Sequence, residues 1–255
     1  MTIEREFLEK IHKGAMDSID PMDAIEATPI IATWDYFKPI TMEYYKKFSP
    51  KAWSIASNRL GVYQIITQEL VDFIRHLIQG DKAIEICCGS GALGRALKIP
   101  LVDRMLEKEV MEGKLPEIAP IYKLNRINSL GGSIHYGSDV IQMTANKAFR
   151  EYKPKWVMGC WVTARAKKPI NGNSIGPVES HFVNGANYIH MGSEHLDIHV
   201  KKEICKKPHY IIKADWLVSK SSHKAESMMQ IWTKQELDFD SFPSHLEFDY
   251  FLPNK

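Results

Sequence analysis

Ala83-Ile84-Glu85-Ile86-Cys87-Cys88-Gly89-Ser90-Gly91-Ala92-Leu93-Gly94 is the stretch on which the fold turns. Its first six residues form a short, mostly apolar run, the pattern of a buried strand. Three glycines follow at once. Arg95-Ala96-Leu97-Lys98 then reads as a short helix that Pro100 interrupts. A tight strand-to-helix turn puts glycines where the backbone must approach a ligand, and the helix start offers free N–H groups. Gly91 is expected to approach that ligand closely. The spacing Gly89-x-Gly91-x-x-Gly94 satisfies the dinucleotide fingerprint, so the loop predicts a nucleoside-containing cofactor.

Working outward, Leu60, Tyr63, Ile66, Leu70, Phe73, Ile74 and Leu77 follow helical spacing, which predicts one helix over 58–79, stopped by Gly80. Downstream, strands are predicted at Ile99–Asp103, Ser133–Tyr136, Trp156–Val162 and Ala186–Met191, with later ones at Tyr210–Ile212 and Met228–Trp232. A helix is predicted over Val140–Glu151, and a long loop over 163–184. Strands alternating with helices predict an α/β fold. The expected form is a Rossmann-like, doubly wound, mostly parallel sheet with helices on both faces. It occupies 59–255. Residues 1–58 read as an irregular N-terminal cap, because Pro21, Pro29, Pro39 and Pro50 leave room only for short helices. This cap is aromatic, carrying Trp34, Tyr36, Phe37, Tyr44, Tyr45, Phe48 and Trp53, and suits a segment packed on a core or closed over a pocket.

Two carboxylates bear on the choice of cofactor. Glu85 lies inside the strand that feeds the loop, where dinucleotide-binding strands are usually apolar and where an acid is costly to bury without hydrogen-bond partners. Asp103 ends the next strand only 14 residues after Gly89, where the dinucleotide rule places its ribose acid about 20 residues on. Its place suits a carboxylate that accepts the ribose hydroxyls.

Written as Glu85-Ile86-Cys87-Cys88-Gly89-Ser90-Gly91, the loop resembles motif I of the class I S-adenosylmethionine-dependent methyltransferases, E/D-x-G-x-G-x-G, with Cys87 in place of the first glycine. Gly137-Ser138-Asp139-Val140 resembles the segment with which these enzymes contact the adenine amino group. The run Lys153–Thr163 is similar to small methyltransferase-like proteins of phage and bacteria. The resemblance covers roughly residues 60–191. It implies S-adenosylmethionine as cofactor, held by Glu85, Cys87, Gly89, Ser90, Gly91, Asp103, Ser138, Asp139, Val140 and Trp161. It also implies methyl transfer to an acceptor that no motif names. Beside it stand blander readings: Glu85 as a structural acid, Asp103 and Asp139 as helix caps, and a cofactor-binding protein without catalysis or an NAD(P)-dependent oxidoreductase.

The methyl acceptor belongs beyond strands four and five. That position selects Trp161, Thr163 and Asn173 for acceptor binding, with Glu194 and His195 as candidates for moving a proton. The strand-four proline pair of amino-methylating DNA enzymes and the Pro-Cys of cytosine-C5 enzymes are both missing: Gly159-Cys160-Trp161 stands there instead.

Net charge over the 255 residues is +2 and names no partner. From Glu151 to Lys234, however, 13 Lys/Arg face 7 Asp/Glu, a local excess of +6. Two readings of Arg165, Lys167 and Lys168, with Lys201, Lys202, Lys206 and Lys207, stand side by side: a basic rim at the mouth of the site, where a nucleic acid would bind in a salt-sensitive way, or lysines on solvated loops with no partner. The four cysteines show no metal spacing, and no metal is expected. No apolar run has the ~20 residues of a membrane span. A cytoplasmic protein without a signal peptide is expected; oligomeric state is open.

Overall fold

The computed structural model describes residues 19–114, 133–162, 179–193, 202–220 and 227–252. Three helices come first: α1 (Pro21–Thr33), α2 (Met42–Tyr45) and α3 (Pro50–Leu60). The expectation of only short helices here is corrected, since α1 has 13 residues. The prolines start helices more than they break them. Pro21 and Pro50 occupy first-turn positions, where a missing N–H costs nothing. Asp20 and Ser49 cap the two helices by accepting the N–H groups of Met22 and Ala52. The expected irregular cap is thus helical. It is built around Trp53, which Trp34, Tyr44, Tyr45 and Phe48 surround at 5.2–6.0 Å between ring centroids. These side chains join the main core, and the division placed after residue 58 falls inside α3.

The helix expected over 58–79 is two elements. α3 ends at Gly61, whose φ is +66°. A Cβ there would lie 2.1 Å from the Ser133 carbonyl oxygen, so this is one position where only glycine fits. Two strand residues, β1 (Gln64–Ile65), intervene. The helix resumes as α4 (Gln68–Ile78), capped by Thr67. Next come β2 (Ala83–Ile86), α5 (Ala92–Leu97), β3 (Leu101–Asp103), α6 (Leu106–Met111), β4 (Ile141–Gln142), α7 (Ala145–Tyr152) and β5 (Trp156–Cys160). The remainder is α8 (Glu179–Gly185), β6 (Asn187–Ser193), α9 (Lys202–Cys205), β7 (Tyr210–Lys213), β8 (Val218–Ser219), β9 (Ser227–Trp232) and β10 (Asp249–Phe251). The third strand is therefore Ile141–Gln142, paired with Val102–Asp103, and not Ser133–Tyr136, which belongs to no strand. α7 starts only after Thr144, which caps it. α8 forms part of the expected 163–184 loop.

The fold is α/β. Its eight-stranded sheet has the order β10-β7-β9-β6-β5-β2-β3-β4. β4, β3, β2, β5 and β6 run parallel. β9 is antiparallel to β6, and β7 is antiparallel to β9, so β7 again points with the parallel set. Alternate side chains leave opposite faces. Ala83, Trp156, Met158, Ile189 and Met229 pack under α4 and α5 on one face. Ile84, Ile86, Val157, Tyr188 and Trp232 pack with Ala148 of α7, Phe182 of α8 and Ile204 of α9 on the other. Among the described residues no helix is long and apolar enough to cross a membrane.

Candidate functional site

After β2 the chain builds outward through β3 to β4; from β5 onward it builds the other way. The point of reversal opens a crevice at the carboxyl ends of β2 and β5. Cys87 to Gly91 leave one strand there, and Trp161 leaves the other.

The glycine loop is held from beneath by two acids. Glu85, 2% exposed, sends Oε2 to the Gly94 N–H at 2.8 Å. Burial pushes its carboxyl up to about 8, the Gly94 bond and Arg95 opposing the rise and Asp103 adding to it. Asp103 accepts the N–H of Gly89 at 3.0 Å through Oδ2 and the N–H of Met105 at 2.6 Å through Oδ1. Burial raises its carboxyl as well, against those two bonds. Asp103 therefore contacts the glycine loop, which its place at the end of β3 did not announce, and it does not act as the side-chain cap of α6. It stitches the end of β3 to the first glycine.

The loop's backbone explains its composition. Gly89 has φ +53° and Gly91 φ +76°, and Cys87 adopts the same left-handed region at φ +52°. The residue that replaces the first glycine of the motif keeps the conformation a glycine would take easily. Its thiol is pushed up, by burial first and then by Asp103, Glu179 and Glu85, and so stays protonated. A Cβ on Gly91 would meet Leu101 Cδ1 at 2.9 Å and Val140 Cγ2 at 3.3 Å. That glycine lets the loop lie against β3.

Asp139 is engaged by Arg95, a residue that sequence reasoning assigned only to a helix. The guanidinium grips it with two contacts, Nε–Oδ2 at 2.9 Å and Nη2–Oδ1 at 2.5 Å, and holds its carboxyl below the ordinary range. Arg95 also donates to Ser90 O at 3.2 Å and Phe37 O at 3.3 Å and lies over the Phe37 ring. Tyr36 reaches His135, 6.0 Å between ring centroids. The aromatic N-terminal segment therefore borders the glycine loop, as a closing segment would. Val140 packs with Cys88, Leu101 and Met105 beside the loop. The same Met105 and Val140, with His135, Tyr136, Ser138 and Gln142, line an open cavity of about 550 Å³.

Trp161, like Cys87, has a left-handed backbone, at φ +52°. Its indole N–H donates to Gln64 Oε1 at 3.0 Å, and Gln64 donates in turn to Val218 O at 2.6 Å. Gln64 and Ile65 pair antiparallel with Ser219 and Val218, so a two-stranded ribbon of β1 and β8 holds the residue that leaves β5. Gln64, Tyr63 and Lys220 were invisible to sequence reasoning, because the ribbon joins segments more than 150 residues apart.

Thr163, Asn173, Glu194, His195, Arg165, Lys167, Lys168 and Lys201 lie outside the described residues. Lys202 opens α9. Lys206 and Lys207 are not at the mouth, which corrects that expectation. They precede β7, which runs with the parallel set, and so sit at the opposite edge of the sheet. Lys207 hydrogen-bonds Asn184 at the foot of β6. Compared with known proteins, the chain matches no family model, no curated protein and no solved structure.

Proposed function

We propose that this crevice binds S-adenosylmethionine and that the protein is a methyltransferase built on a Rossmann-like sheet. The observation that carries this reading is the glycine loop fastened by Glu85 and Asp103 at the reversal of strand order, with a nucleoside-sized cavity beside it. Asp103 spends one lone pair of each oxygen on the backbone and keeps acceptor capacity for ribose hydroxyls. Met105 and Val140 supply apolar surface for a purine, and the Ser138–Val140 backbone supplies polar edges. The bound cofactor would provide an activated methyl group. The chain's part is to position the acceptor in line with it, and proximity alone supplies much of such a rate gain.

The sheet also speaks against a dinucleotide. A dinucleotide site uses two parallel halves. Here antiparallel β9 takes the place beside β6 where the second half would continue, leaving one nucleoside-binding half.

Calorimetric titration with S-adenosylmethionine, S-adenosylhomocysteine and NAD tests this reading. Binding of the two adenosyl ligands and not of NAD is expected; binding of NAD alone overturns it. A second reading, a cofactor-binding protein without catalysis, is favoured by Cys87 at a glycine position. Tritium transfer from methyl-labelled cofactor into fractionated nucleic acid, protein and metabolites separates the two: transfer to any fraction excludes the second reading.

A further inference from the structure

Between α1 and α2 the chain makes a short turn, Asp35–Lys38, whose two ends are fixed. Before it, Trp34 is buried against Trp53, 5.2 Å between ring centroids. After it, Ile40 donates its N–H to Ile66 O at 2.9 Å, and its carbonyl accepts the Gln68 N–H at 2.8 Å, a bridge to the start of α4. The turn closes on itself through the Lys38 N–H, which donates to Asp35 O at 3.0 Å. Its tip reaches the site through two residues. The Tyr36 ring meets His135, which lines the cavity. Phe37 offers its carbonyl to Arg95 Nη1 at 3.3 Å, and its ring centroid lies 5.4 Å from the guanidinium carbon.

Three segments meet at Arg95. Besides Phe37, the same guanidinium donates to Ser90 O in the glycine loop and grips both oxygens of Asp139. A Cβ on Gly137 would lie 2.3 Å from Arg95 Nη2 and 2.6 Å from Asp139 Oδ1. The ion pair therefore rests directly on the backbone of a residue that lines the cavity. The resemblance to methyltransferases would give Asp139 the adenine amino group. Here its carboxylate turns to Arg95, while Gly137, Ser138 and Val140 line the cavity. A planar fork of N–H donors can serve three segments at once, which the compact ammonium of a lysine does poorly. The pair is not deep, since the side chains of Arg95 and Asp139 are 31% and 48% exposed. Contacts so open to water break readily. The tip of the turn is thus held loosely between two firmly held ends.

We propose that Arg95 is a latch, a positioning residue that ties the 35–38 turn to the glycine loop and the cavity wall, and that a bound cofactor tightens it. Asp139 is then the anchor of the latch and not a reader of the base. The inference rests on the S-adenosylmethionine reading above. The coupling has a physical cause. A nucleoside in the cavity displaces water from beside Gly137 and from the ion pair resting on it, and the attraction between the two charges grows as the local dielectric falls. Linkage runs both ways, so whatever the ligand adds to the latch, the latch adds to the affinity of the ligand.

Amide hydrogen exchange of the full chain tests this, read by mass spectrometry on a peptide covering residues 34–41, with S-adenosylhomocysteine as the added ligand. In the wild type the ligand is expected to slow exchange in that peptide about fivefold. Arg95→Met is expected to exchange faster there without ligand and to lose most of the ligand's effect. Asp139→Asn is expected to do the same, although it acts on the turn only through Arg95, and it serves if Arg95→Met fails to fold. A peptide covering β5 is expected to exchange alike in all three proteins, which separates a released latch from general loosening. Affinity for S-adenosylhomocysteine is expected to fall in both variants by a factor similar to the protection lost. Binding that protects 34–41 equally in wild type and variants, or not at all in the wild type, overturns the latch and leaves the cofactor reading standing. Weaker binding by Asp139→Asn with unchanged exchange at 34–41 returns Asp139 to the base and overturns it as well. Failure of S-adenosylhomocysteine to bind the wild type removes the cofactor reading, and this inference with it.

Discussion

The glycine loop has two halves that look alike in sequence and differ in physics. In the first, Cys87 and Gly89 take left-handed conformations, and Gly89 has space around it: a Cβ there would meet only Ile134 Cγ2, at 3.6 Å. In the second, Gly91 and Gly94 press against protein. A Cβ on Gly94 would come within 2.2 Å of Leu101 Cδ2 and 2.7 Å of Glu85 Oε2. The first half needs backbone freedom, whereas the second needs absence of volume. The glycine pattern alone does not distinguish the two needs.

Glu85 is the deepest element of the packed half, and its removal probes that half most strongly. Its folded carboxyl sits near 8 against an ordinary 4.5. A raised acid holds its proton better when folded, so its contribution to stability is full below about pH 4.5 and is lost as pH rises to about 8. The full shift corresponds to as much as about 5 kcal/mol. Denaturant midpoints between pH 5 and 8.5 are expected to fall for the wild type. In Glu85→Gln, whose amide oxygen still accepts the Gly94 N–H, that fall is expected to flatten, leaving the variant more stable at pH 8.5. A parallel decline in both proteins would show that Glu85 is already ionised and paired at neutral pH.

Substitution of single glycines sharpens the contrast. Gly94→Ala adds a methyl where Leu101 and Glu85 already stand, and overpacking of this kind costs about 1–3 kcal/mol. Gly89→Ala finds space and suffers only the left-handed penalty, about 1 kcal/mol. Chemical denaturation of both variants is expected to show Gly94→Ala as the weaker protein. Equal losses would mean that the two halves do not differ in packing.

How much of this was legible beforehand follows from the distances along the chain. The strand, the loop, Glu85 and Asp103 were readable because their partners lie within 14 residues. The break at Gly61 was not, because its cause is the Ser133 backbone pressing on it from a distant segment. Helical spacing ran straight through that glycine. Asp139 was singled out, but Arg95, 44 residues away, was not seen as its partner. Lys220 was hidden most completely. It meets Tyr63 only through the ribbon of β1 and β8, and no local pattern near residue 220 records that pairing.

The smallest effect concerns the open half and runs toward stability. Cys87 is a non-glycine residue at φ +52°, and a left-handed residue with a Cβ costs roughly 1 kcal/mol. Cys87→Gly relieves that strain. It also gives up a small, half-buried side chain and gains freedom in the unfolded chain, both of which act against it. The neighbouring thiol, Cys88, still packs with Leu101, Met105 and Val140, so the local core persists. The net expectation is a gain of about 0.5 kcal/mol in denaturant unfolding. If S-adenosylmethionine binds here, the more regular loop is also expected to bind it no more weakly than the wild type. A clear loss of stability would show that the Cys87 side chain fills space that matters more than its strained backbone, and the open half of the loop would then be a packed one as well.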